Sequence, residues 1–178
     1  MVNYEVCRGP TDSSLVSLAF PGLQCPPLDI STTDVDNLEM QETVLIIKPD
    51  VSTKPEAIEN VHKRLADASL QILVEKRILM NQKMATAFYG QLADKFFFPD
   101  LVSFIASGEV IVLVVRGFKA IARIREMVGP TDPAIARQQH PSSLRATFGK
   151  DKTKNGFHAS DHPESVAKEL NVLCNLVA

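Results

Sequence analysis

Six consecutive residues, Val110-Ile111-Val112-Leu113-Val114-Val115, carry no polar side chain. Four of them are valine, one is isoleucine, and β-branched residues favour extended backbone. A run with no polar alternation has no face to give to water, so it reads as a central strand. A second run, Thr43-Val44-Leu45-Ile46-Ile47, ends at Lys48-Pro49-Asp50 and is also a buried strand, stopped by Pro49. Pro55 opens a helix with Ala57, Ile58, Val61, Leu65 and Ala68 on one face. Leu70 to Ile78 is a further strand. Asn81 caps a helix that runs to about Leu92. Another helix follows Pro99, with Leu101, Val102 and Ile105 inward, and Ser107-Gly108 ends it. From Gly117 to Val128 the apolar spacing of Phe118, Ile121, Ile124 and Val128 predicts a helix closed by Gly129.

Pro130 to Gly156 reads as a long, mostly irregular excursion with a helical turn at Ala134 to Gln139. A loop of that length inside a compact domain is usually functional. Phe157 to Ala159 supplies a short strand. Asp161-His162-Pro163-Glu164 looks like a capped helix start, and the helix carries Ser165 to about Leu173. The order predicts an α+β fold: a ferredoxin-like sandwich, a four-stranded antiparallel sheet covered by helices.

Residues 1–40 differ in texture. Pro10, Pro21, Pro26 and Pro27 break regular elements, and the apolar run Leu15 to Phe20 is too short for its own core. They form a tail or an arm that docks on a partner, and 41–178 forms the domain. At 45% hydrophobic and 22% charged residues the chain is globular overall. A net charge of −2 argues against a general nucleic-acid binder. Cys7, Cys25 and Cys174 give neither a disulfide framework nor a metal spacing. No signal peptide or bilayer-length apolar stretch is visible, so the expected setting is cytoplasmic, with no membrane partner.

Four side chains invite chemistry. Lys48 ends a buried strand. Arg125 stands among apolar neighbours near a helix end. Arg145 lies in the long loop, and His158 follows that loop just before a helix. Glu169 on that helix can reach back to orient the imidazole. Taken alone, these positions indicate an anion site.

Together they match a known pattern. Glu42 to Asp50 resembles the opening strand of nucleoside diphosphate kinases. Phe88-Tyr89 with Lys95 to Val102 resembles the family's nucleotide-clamping helices. Gly129-Pro130-Thr131-Asp132-Pro133 resembles its G-x-T-[ND]-P turn, and Ser143-Leu144-Arg145 with Phe148 its T-I-R segment. Asn155-Gly156-Phe157-His158-Ala159-Ser160-Asp161 resembles its N-x-x-H-G-S-D signature.

The resemblance implies transfer of the γ-phosphate of a nucleoside triphosphate to a nucleoside diphosphate through a phosphohistidine at His158. Glu169 would orient the ring, and Ser160 would hydrogen-bond Glu169. Tyr89 would lie beside the histidine. Arg125, Arg145 and Thr131 would hold phosphates, and Lys48 and Asn155 would bind ribose hydroxyls. Phe97 would stack on the base, with Leu101 beyond it. Mg²⁺ would arrive bound mainly through nucleotide phosphates, with no dedicated protein ligands. Ala159 replaces the family's glycine, Lys152 a small apolar residue near the base, and the turn after Asp50 lacks the usual glycine. With His140 to Arg145, these departures resemble the divergent ciliary and flagellar members. That resemblance adds a second expectation: an axonemal assembly module of weak or no activity, reaching axonemal proteins through the N-terminal arm.

Overall fold

The computed structural model describes residues 40–177; apart from Met40, the predicted arm lies outside them, as do Cys7 and Cys25. The elements run β1 (Met40–Ile47), α1 (Pro55–Asp67), β2 (Gln71–Leu79), α2 (Gln82–Phe88), α3 (Phe98–Ile105), β3 (Glu109–Phe118), α4 (Ala120–Val128), α5 (Pro133–Gln139), α6 (Leu144–Phe148), β4 (Phe157–Ala159) and α7 (Pro163–Val177).

The sheet has the order β2-β3-β1-β4, and every pairing is antiparallel. The two apolar runs are therefore its interior strands, as their composition predicts. Consecutive side chains of a strand point to opposite faces, and here both faces are covered. Val44, Ile46, Val110 and Val112 pack with Met84, Phe88, Val102, Ile105 and Leu173 on one side. Leu45, Ile47, Ile111 and Leu113 pack with Val61, Leu65, Ile124, Leu144 and Phe157 on the other. The expected four-stranded sandwich is the fold observed.

Several boundaries shift for identifiable reasons. The predicted helix from Gly117 starts later. Gly117 is still in the β3 ladder opposite Gln41, and a Cβ there would lie 2.4 Å from Leu70 Cδ2. That glycine serves a close approach. The chain then turns at Lys119, φ 49°, and α4 begins at Ala120. The helix expected to reach Leu92 ends at Phe88, followed by a 3₁₀ turn at Gly90–Leu92. β1 runs from Met40, three residues before the predicted strand from Thr43. α7 begins at Pro163; Asp161 stands before the cap position and accepts a hydrogen bond from Ser165 Oγ at 2.6 Å.

The excursion from Pro130 to Gly156 is less irregular than predicted. Asp132 accepts from the Ala134 amide and starts α5, whose seven residues overlap the expected helical turn. Ser143 accepts from the Ala146 amide and starts α6, which the sequence reading did not anticipate. Caps of this kind satisfy amides that have no partner within a helix.

Candidate active site

β1 and β4 lie side by side, with Ile46 opposite His158 and Ile47 opposite Phe157. Lys48 leaves the end of β1 where β4 begins. A cavity of about 410 Å³ opens at that end of the sheet. Its walls include Lys48, Tyr89, Phe97, Leu101, Arg125, Thr131, Arg145, Asn155 and His158. Nine of the predicted site residues thus face one space. The remaining two, Glu169 and Ser160, stand behind His158.

His158 Nε2 lies 2.9 Å from Glu169 Oε1. A carboxylate can only accept, so Nε2 carries the proton and donates. The lone pair of the neutral ring then resides on Nδ1. Glu169 is 3% exposed, which makes its other oxygen's partner matter. Ser160 Oγ donates to Glu169 Oε2 at 2.7 Å and accepts from the Val44 amide at 3.1 Å. Ser160 N donates in turn to the Val44 carbonyl. The carboxylate is thereby tied to central strand β1. Leaving a buried partner of this kind unsatisfied costs about 1–3 kcal/mol. The edges of Phe88 and Tyr89 bracket the imidazole, with ring centroids 5.1 and 5.6 Å away.

Asn155, 1% exposed, ties three loops together. Its Oδ1 accepts from Lys48 Nζ at 2.8 Å, and its Nδ2 donates to the carbonyls of Thr131 and Lys152. Lys48 Nζ also donates to the Thr153 carbonyl at 3.4 Å. Burial lowers the Lys48 ammonium to about 7, and the nearby Arg145 charge pushes in the same direction; Asp50 and Asp151 oppose it.

Arg145 is anchored through backbone. Its Nη1 donates to Gly129 O at 2.6 Å and its Nη2 to Phe157 O at 2.9 Å, while the buried Nε has no partner among the described residues. Burial, followed by repulsion from Arg125, lowers its guanidinium to about 10, so it stays cationic at neutral pH. Two guanidinium groups close enough to repel each other on one wall form a site for an anion of multiple charge. Gly129 makes the Arg145 anchor possible. Its φ is 82°, and a Cβ would lie 2.4 Å from Ser143 Oγ. The Tyr89 hydroxyl is buried without a hydrogen-bond partner among the described residues; burial pushes its pKa up, so it remains a proton donor.

At the outer end of the cavity Phe97 is half-buried, while Leu101 is buried and belongs to the core of that face. Phe96 points to solvent at 95% exposure, whereas Phe97 and Phe98 both pack against that core and, of the three, Phe97 lines the cavity. Lys152 also lines the cavity, with its ammonium 3.4 Å from Asp132. Ala159 does not have a positive φ, nor do the residues of the turn after Asp50. Alanine in place of glycine beside His158 therefore introduces no backbone strain.

Sequence reading missed several lining residues: Gln91, Val128, Thr153 and Asp161. Thr153 contributes its carbonyl, which no side-chain pattern reveals. Among the described residues no group of three or more His, Cys, Asp or Glu could hold a metal ion, and Asp161 is the one carboxylate lining the cavity. Four cationic side chains, Lys48, Arg125, Arg145 and Lys152, against one carboxylate suit an anionic ligand, and a divalent cation would fit there through that ligand's own phosphate oxygens. Among the described residues no helix is long and apolar enough to cross a membrane.

A family model described as nucleoside diphosphate kinase matches residues 41–176. Over 133 residues the chain is 40% identical to a nucleoside diphosphate kinase of Aquifex aeolicus, covering 75% of this chain and 93% of that protein. It is 37% identical to one from Ruegeria pomeroyi, covering 75% and 92%. Among solved structures, the Aquifex aeolicus nucleoside diphosphate kinase superposes with a TM-score of 0.72 at 39% identity, covering 75% of this chain and 94% of that one. The Encephalitozoon cuniculi nucleoside diphosphate kinase gives 0.69 at 27% identity, covering 74% and 87%.

Proposed function

This chain belongs to the nucleoside diphosphate kinase family, transferring the γ-phosphate of a nucleoside triphosphate to a nucleoside diphosphate, and from that premise we propose that His158 carries the phosphoryl group. The observation that supports this role is the fixed tautomer: Glu169 holds Nε2–H, which leaves Nδ1 as the nucleophile.

Nδ1 attacks phosphorus opposite the leaving oxygen; the Nδ1–P bond forms as the P–O bond to the diphosphate breaks. The ring, alkylated on neither nitrogen before, now bears phosphorus on one and hydrogen on the other, and it is cationic. Glu169 stabilises that cation. Arg125, Arg145, Thr131 and the Tyr89 hydroxyl face the charge on the phosphoryl oxygens. When bound, Mg²⁺ neutralises further phosphate charge. A second diphosphate then attacks phosphorus, the Nδ1–P bond breaks, and the neutral ring returns. Phe97 stacks on the base, and because every base offers a π-face, stacking there is tolerant of base identity. Incubating the protein with a γ-labelled nucleoside triphosphate gives an acid-labile, alkali-stable phosphoprotein; absence of label rejects the assignment.

Lys48 provides a pH test. With its ammonium lowered to about 7, the empty site holds a mostly neutral amine at pH 8. An anionic nucleotide favours the charged form and raises the lysine's pKa on binding. Binding therefore takes up a proton above pH 7, and affinity falls as pH rises through that range. Calorimetry in buffers of different ionisation enthalpy reads this uptake as up to about one proton at pH 8, absent in Lys48→Gln. Equal uptake by both proteins contradicts the assignment of Lys48.

The departures at Lys152 and the His140 to Arg145 segment support placing the chain within the ciliary and flagellar group. There, residues 1–40, beyond the described residues except for Met40, would serve as the arm that docks on axonemal proteins. Deleting residues 1–39 then abolishes co-sedimentation with isolated axonemes; unchanged co-sedimentation contradicts the arm.

A further inference from the structure

Asp50 belongs to the Lys48-Pro49-Asp50 segment but has no part in the chemistry described above. Its surroundings are specific. Asp50 Oδ2 accepts from the Gly156 amide at 3.1 Å, and the Lys48 amide donates to the Gly156 carbonyl at 2.8 Å. The Lys48–Asp50 turn thus grips both sides of one residue. Gly156 has φ 80°, and a Cβ there would lie 2.9 Å from Val51 Cγ2, so the grip requires glycine. Asn155 stands immediately before Gly156, and His158 two residues after it. β4 is three residues long and, among the described residues, pairs only with β1. So short a strand has little of its own to fix its register. The other oxygen, Oδ1, is buried without a hydrogen-bond partner among the described residues.

We propose that Asp50 is a positioning residue for phosphoryl transfer: its carboxylate fixes Gly156, and with it the placement of His158 and Asn155 against Lys48, and it sets a negative charge facing Lys48. The proposal rests on His158 being the phosphoryl carrier. Lys48 faces Arg145 from α6, Asp151 from the loop before β4, and Asp50 from its own turn; Asp50 faces Lys48 and Lys54. Of the two acids near Lys48, Asp50 supports its charge the more strongly, and Lys48 in return partly offsets the upward push of burial on Asp50.

Two substitutions separate the roles. Asp50→Ala removes the acceptor, whereas Asp50→Asn retains an oxygen for the Gly156 amide and removes the charge. The readout is the single-turnover rate of His158 phosphorylation from γ-labelled triphosphate between pH 6 and 9, with the melting temperature measured alongside. Asp50→Ala slows labelling by about 10- to 100-fold, as expected for a reacting group displaced by around 1 Å. Asp50→Asn stays within about threefold of wild type at pH 6, but its rate falls off about one pH unit earlier on the alkaline side. A merely structural carboxylate would not move that limb. Where Asp50→Ala does not fold, the Asp50→Asn profile decides alone: a shifted limb supports the proposal and an unshifted one overturns it. A labelled wild type alongside variants that match it in rate and profile overturns the proposal while leaving the carrier intact. A wild type that takes no label overturns both.

Discussion

His158→Ala takes no label from a γ-labelled nucleoside triphosphate, and its transfer rate falls by on the order of 10⁴-fold or more. The size follows from the arrangement. The cavity walls supply cations and hydroxyls that bind and polarise phosphate, but Nδ1 is the one nitrogen there with a free lone pair, its ring held by Glu169 at 2.9 Å. Lys48 cannot substitute, since the bound anionic nucleotide favours its charged form, in which the nitrogen has no lone pair. Nucleotide affinity should change little, because Phe97, Arg125 and Arg145 are untouched. The alanine leaves Glu169 with Ser160 as its remaining side-chain partner, so a modest loss of stability, about 1–3 kcal/mol, accompanies the loss of transfer. Labelling, equilibrium nucleotide binding and melting temperature together check the expectation. Full labelling of the alanine protein would remove His158 from the reaction.

Glu169 gives the second-largest effect, and two substitutions there divide orientation from charge. Glu169→Ala frees both the tautomer and the ring, and kcat falls on the order of 10²-fold. Glu169→Gln is milder for a reason visible in the bonds. A glutamine oxygen can accept from His158 Nε2, and its amide can donate to Ser160 Oγ. Ser160 can release that contact, because its hydroxyl also lies 3.3 Å from the Val44 carbonyl and can donate there instead. Geometry then survives, while the negative charge that stabilises the phosphorylated ring is lost, for a drop of about 10-fold. Equal losses in the two proteins would mean that orientation contributes nothing beyond charge. Steady-state rates at saturating nucleotide, with the stability of each variant measured alongside, distinguish the cases.

Much of this was legible before any coordinates. The two apolar runs fall on the interior strands because burial on both faces leaves a direct mark on composition. The site residues were legible through the resemblance of whole segments; spacing alone identified only an anion site. What composition could not reveal was carried by backbone. Arg145 is held by the carbonyls of Gly129 and Phe157, and Lys48 by that of Thr153, and every residue type offers a carbonyl. Gly117 read as a helix start because its real role, admitting Leu70, depends on a strand distant in sequence. α6 is five residues long, too short for a periodic signal, and Ser143 was its one available marker.

The pairing of β1 with β4 has a consequence for how the protein becomes competent. Lys48 and Asn155 are 107 positions apart, and Val44 and Ser160 are 116 apart. Contacts so distant along the chain close late, after local helices and hairpins have formed. Glu169, which fixes the reactive tautomer, follows His158 by 11 positions, on α7, the helix after β4. A chain emerging from the ribosome can bury most of its hydrophobic residues and still lack an oriented imidazole. Competence is therefore acquired in one step, when α7 docks on the sheet, and nascent chains without α7 do not possess it in graded form.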